Sequence, residues 1–222
     1  MNPFLTRNAL ILLGLSLLAV ALIAVRGKLF HRRVRPMLWN LLLAWVPMVL
    51  VMVLDVIVVD TPDRVDEAVA VAAFAVVLTL FALFLPNSSY LITELGHLRE
   101  PEEEIPTWYD IIAVLSLTMC GLLLCCVSLA YVQLILELSV LGVTWSWIIV
   151  SGYLLLANFG IYIGRELRFN SWDAIVRPGH VVMRTSRYLF DEGHLGEAVA
   201  YTLAFSAFTA CVYLVVALPL LS

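Results

Sequence analysis

Charge is what this sequence has least of. Only 14% of its 222 residues are charged, against 63% hydrophobic residues and a mean hydropathy of +0.99, whereas average protein composition carries about 25% charge. That balance excludes an ordinary soluble domain and defines a polytopic membrane protein whose first partner is the lipid bilayer. Deep charge is absent too: the long apolar runs hold essentially no ionisable residue at mid-depth, so a proton or ion path has no visible carrier. Cysteine is sparse and unpaired in pattern. Cys120, Cys125 and Cys126 sit in one apolar run and Cys211 in another, with no Cys or His at ligand spacing, which makes them packing residues rather than a disulfide framework or a metal site. No small-residue cleavage site follows the first apolar run, and its basic cluster comes after it, the reverse of a signal peptide; the run is therefore a membrane helix. G-x-S-x-G, the phosphate-binding P-loop and the dinucleotide fingerprint are all missing. No cofactor and no nucleic-acid partner is expected, and the oligomeric state is left open.

What is present is length without interruption. Six runs, about 8–25, 37–59, 68–85, 111–136, 147–163 and 198–218, are long enough to cross the bilayer, whose hydrocarbon core of about 30 Å takes about 20 helical residues. Backbone polar groups find no water there, so the runs must be helices, and the chain is one all-α transmembrane domain over 1–222. Pro47 falls mid-span in the second run and predicts a kink. Gly160 and Gly164 make a G-x-x-x-G face that permits close helix approach. Eleven of the 13 basic residues lie in the loops after the first, third and fifth runs, leaving Arg7 and Arg64 on the other side. The positive-inside rule then places those loops in the cytoplasm and both termini outside, in the cytoplasmic membrane.

Polar residues concentrate in two of the basic-side loops. In the first, PNSSYLITELGHLREPEEEIPTWYD from Pro86 to Asp110, the residues Asn87, Tyr90, Glu94 and His97 share one helical stripe and Leu91, Leu95 and Leu98 the other side. This predicts a short amphipathic helix. Glu94 and His97 have E-x-x-H spacing, which a transition-metal site uses, but they would need further ligands, for which Asp110 and Asp173 are the only nearby candidates; no metal is expected, and an interfacial helix whose polar face meets water and head groups is the preferred account of the pattern. In the second segment, GRELRFNSWD, Asn170 and Asp173 fit an N-cap with its capping-box acid. Arg165 and Arg168 either pair with Glu94 and Asp110 or bind a phosphate or carboxylate between the loops, and cross-segment pairing is the expectation. Beyond them, Gly179 to Phe190 reads as an interfacial helix whose arginines meet anionic lipid head groups. Asp55 and Glu137 lie near span ends where each can reach water. Asn158 shares a face with Tyr162 and Arg165 and suits an interhelical hydrogen bond.

Three blocks, F-L-P-N-S-S-Y-L-I-T-E-L-G-H-L from Phe84, W-Y-D at Trp108 to Asp110, and G-I-Y-I-G-R-E-L-R-F-N-S-W-D from Gly160, make the chain resemble the bacterial integral membrane proteins grouped as domain of unknown function 1361. The resemblance covers about Trp39 to Leu218. It departs at Ser88-Ser89, where the family usually has Ala-Pro, which implies a looser start to the helix there. The resemblance implies the fold and no activity.

Three functions therefore compete for a basic-side pocket built from Asn87, Tyr90, Glu94, His97, Asp110, Arg165, Arg168, Asn170 and Asp173. An enzyme acting on a lipid or lipid-linked substrate needs Glu94 or His97 as acid or base beside the arginines. A transporter needs a polar route through the middle, and a structural or partner-binding protein needs neither.

Overall fold

The computed structural model describes residues 3–29, 34–60, 67–99, 106–139, 142–169 and 171–221, and among them there is no strand. Six helical spans are long and apolar enough to cross a membrane. The elements are α1 (Pro3–Leu29), α2 (Arg35–Ala44) and α3 (Val46–Asp60), which share one span, then α4 (Glu67–Tyr90) with a 3-10 extension (Leu91–Arg99). They continue with α5 (Thr107–Ser139), α6 (Gly142–Leu167), the short α7 (Ser171–Val176) and α8 (Pro178–Ser186), a π-helical turn (Arg187–Asp191) and α9 (Leu195–Leu221). The ends of α1, α4 and α6, the starts of α2, α5 and α9, and all of α7 and α8 lie on one face, called here the basic face.

The bundle is built around α5, which packs against α1, α3, α4, α6 and α9. In its most apolar stretch 72% of residues are buried, against 17% in α4 and in α9. Van der Waals packing of small residues replaces the hydrophobic drive that lipid removes. Gly121 of α5 is the closest approach: a Cβ there would stand 2.5 Å from the Ser88 carbonyl oxygen and 2.6 Å from Leu91 Cβ. The helix has 33 residues, about 50 Å at 1.5 Å per residue, longer than the hydrocarbon core. Its two carboxylates, Asp110 and Glu137, are about 40 Å apart by the same rise, the spacing of the two head-group regions.

The kink expected at Pro47 is a break in the helix at Trp45. The proline ring removes one backbone donor and crowds the preceding turn, so the Trp45 N–H falls back to the Leu42 carbonyl at 3.2 Å. At the break the Ala44 carbonyl accepts from Ser88 Oγ at 2.6 Å, and the Trp45 indole N–H donates to Ser16 Oγ at 3.0 Å. Ser89 Oγ in turn donates to Cys125 Sγ at 2.9 Å. The Ser88-Ser89 pair thus ties α4 to α2 and α5, and the helix runs through it to Tyr90 rather than starting loosely. The four cysteines are free thiols, Cys211 exposed and the others buried.

Candidate functional site

The basic face holds a cavity of about 690 Å³ between α4 and α6, roofed by α7 and α8. Its floor is apolar, with Ala82, Leu83, Leu156 and Phe159; its rim is polar, with Asn40, Asn87, Tyr90, Arg165 and Arg168. Two backbone features shape it. Pro86 lies inside α4 and has no N–H to give the Ala82 carbonyl, and Gly160 lets its ring close in: a Cβ on Gly160 would meet Pro86 Cγ at 2.8 Å. Of the G-x-x-x-G pair, Gly160 therefore serves a contact between helices, whereas Gly164 faces the Phe169 carbonyl of its own returning chain. At the other end Arg168 takes a left-handed backbone, φ 56°, a conformation that costs about 1 to 3 kcal/mol for a residue with a side chain and persists where the surroundings impose it.

The nine candidate residues divide. Asn87, Tyr90, Arg165 and Arg168 line one cavity. Glu94 does not line it: the residue is 5% exposed and its carboxylate accepts from Asn40 Nδ2 at 2.9 Å, and it is Asn40 that reaches the cavity. The expected single stripe fails here for a geometric reason. Beyond Tyr90 the chain winds as a 3-10 helix, and with about 3.0 instead of about 3.6 residues per turn Glu94 is swung about 80° from where an α-helix would carry it. Leu95 is consequently exposed while Glu94 is buried against α2. Asp110 stands apart as well, at the start of α5. The Asn170 residue, with its expected N-cap, and the His97 side chain lie outside the described residues. Asp173 sits in the first turn of α7.

Cross-segment pairing is corrected by the ion pairs observed. Asp110 accepts from Arg26 Nε at 2.6 Å, with side-chain exposures of 16% and 6%, so its partner comes from α1. Beside it the Tyr109 hydroxyl donates to the Leu22 carbonyl at 2.6 Å. Arg165 pairs locally with Glu166 at 3.3 Å in an exposed position, and among the described residues no carboxylate pairs with Arg168. Two guanidiniums therefore stand at the cavity mouth with only one local countercharge between them. No group of three His, Cys, Asp or Glu side chains that could hold a metal occurs among the described residues.

Sequence inspection passed over several polar residues that the fold puts to use. Asn40 is one, a lone amide near the start of an apolar run. Another group joins α5, α6 and α9 near the opposite face: fully buried Gln133 donates to Glu137 Oε1 at 2.8 Å, Ser146 Oγ donates to the same oxygen at 2.8 Å, and the Tyr213 hydroxyl donates to Gln133 Oε1. Asp55, expected to reach water, is 5% exposed. Asn158 makes the interhelical contact expected of it: its Oδ1 lies 3.4 Å from Thr209 Oγ1 of α9, whose shorter bond, 2.6 Å, goes to the Phe205 carbonyl, while its own amide donates to the Leu154 carbonyl at 2.8 Å. Tyr162 below it is buried against Tyr201 and Tyr188, and Tyr188 stacks on His194, which clamps the π-helical turn and the start of α9 to α6.

Six apolar spans, five of them packed around the buried α5, define a multi-pass helical membrane protein. Within that class, the family described as "Protein of unknown function (DUF1361)" matches residues 39–215, and the chain belongs to it. No curated protein and no solved structure matches the chain.

Proposed function

We propose that this protein binds an anionic amphiphile of the membrane at its basic face, with the negative head group against Arg165 and Arg168 and the apolar part in the groove between α4 and α6. One observation carries the reading: an apolar-floored cavity of about 690 Å³ whose mouth bears two guanidiniums, one of them with no carboxylate partner among the described residues. Sites for small ligands have volumes of about 300 to 1,000 Å³ and combine apolar walls with a few convergent polar groups. Guanidinium is the group best matched to phosphate or carboxylate. Exposed Trp172, Val182, Met183 and Phe190 suit an interfacial position for α7, α8 and the following turn, with Arg184 and Arg187 toward lipid phosphates.

Catalysis on such a lipid is the second reading, favoured by the Glu94–Asn40 contact, which sets a carboxylate one side chain behind the cavity wall. In that arrangement Glu94 orients the Asn40 amide and is a positioning residue rather than an acid or base on the ligand. Transport has less support, because Gln133, Glu137, Ser146 and Tyr213, the polar cluster nearest the opposite face, are already bonded to one another.

The test is lipid analysis of the purified protein. Anionic lipid should be enriched over its share of the host membrane, and Arg165→Ala with Arg168→Ala should abolish the enrichment; equal lipid profiles for the two proteins overturn the proposal. The basic face is further proposed to be cytoplasmic, since 11 of 13 basic residues fall on it. Reporter fusions at Ser222 and near Glu102 should read outside and inside, and a cytoplasmic Ser222 refutes that orientation.

A further inference from the structure

A second groove runs along the other side of α6. It measures about 380 Å³, lies between α6 and α9, and is lined by Leu155, Ala198, Val199 and Leu203, with Thr202 the one polar residue of its lining. Leu156 and Phe159 line both this groove and the larger cavity, so the two meet over one ridge of α6. These two residues are one helical turn apart and therefore stacked on the same stripe. Arg165, at the mouth of the larger cavity, is about 9 Å further along the helix axis than Phe159.

Resting on the binding reading above, we infer that the occupant is a two-chain anionic phospholipid straddling α6, with one acyl chain in the α4–α6 groove and the other in the α6–α9 groove. The geometry supplies what such a molecule needs: two apolar channels diverging from a shared ridge, and positive charge above it. A single-chain amphiphile, whether a fatty acid, a lysophospholipid or a polyprenyl phosphate, would fill only one channel. Charge complementarity commits the head group to an anion, because Arg165 and Arg168 stand at the mouth while Glu94 is turned away against Asn40. The α6–α9 groove opens toward lipid along the first turns of α9, where Val199 and Leu203 are 48% and 57% exposed, so a chain can enter sideways from the bilayer.

The experiment is competition between dioleoyl phosphatidylglycerol and its one-chain lyso form on delipidated full-length protein, read by native mass spectrometry. The wild type should favour the two-chain lipid by at least about tenfold, since the second chain adds packing contacts in the α6–α9 groove that the lyso form lacks. Val199→Trp fills the second groove from a half-exposed position. It should cut the two-chain preference to within about twofold while leaving lyso binding unchanged, and Leu203→Trp should do the same, which keeps the test open if one variant folds poorly. Arg165→Ala with Arg168→Ala should weaken both lipids equally. A wild type without two-chain preference, or a preference that survives both tryptophans, overturns the inference. Arginine variants that bind both lipids normally overturn the head-group reading instead, so the two failures are distinguishable.

Discussion

The ends of α5 and the rim of the α4–α6 cavity are both polar, yet they differ in kind. At one end of α5 the Asp110 carboxylate meets Arg26 of α1, and at the other Glu137 accepts from Gln133 and Ser146 with Tyr213 behind them. These groups are buried or half-buried and satisfied within the bundle. The cavity rim instead presents Arg165 and Arg168 toward open space, with a single exposed local pair between them. Polarity in a membrane bundle is thus a poor marker of a ligand site by itself. A buried polar group that has found its partner holds helices together, whereas a cation left open at a cavity mouth has binding capacity to spare.

The contrast can be broken most forcefully at the closed end. Arg26→Ala leaves the Asp110 carboxylate in a mostly buried position without its cation and should destabilise the fold by about 3 to 5 kcal/mol, measured by unfolding in mixed micelles. Combined with Asp110→Asn the losses should be less than additive, and full additivity would show that the pair does not act as one unit. Tyr213→Phe comes next. It removes the donor to buried Gln133 and should cost about 0.6 to 2 kcal/mol, the range for interhelical hydrogen bonds in membranes; no change would mean that Gln133 repartners. The smallest stability effect belongs to the open region. Arg165→Ala and Arg168→Ala should each stay within about 0.5 kcal/mol of the parent, because both side chains are exposed and the Arg165–Glu166 pair is solvated. A loss of several kcal/mol at Arg165 would make the rim structural and erase the distinction between the two regions.

How much of this was legible beforehand varied with range along the chain. The Pro47 break and the interhelical role of Asn158 were readable because each follows from one residue and its immediate helix. The Glu94 stripe was misread because an α-helical period was carried past Tyr90 into nine residues that wind as a 3-10 helix. The partner of Asp110 was misread because Arg26 lies 84 positions away, and the nearer candidates, Arg165 and Arg168, arrive at the same face without arriving at the same helix contact. Asn40 went unremarked for the same cause: one amide in an apolar run gives no sign of what stands opposite.

The sequence by itself determined that this is a six-span helical membrane protein of one recognisable family, that basic residues gather on one face, and that the deep interior carries little charge. Those properties are sums over the chain, and the bilayer reads them as sums, through length, hydropathy and the count of basic residues per loop. Only the tertiary structure decided which polar groups are consumed by one another and which are left over. Pairing depends on the lateral order and rotation of the helices, set by close contacts such as Gly121 on Ser88 and Gly160 on Pro86. Packing at that scale is settled by shape between segments distant in sequence, and no sum along the chain contains it.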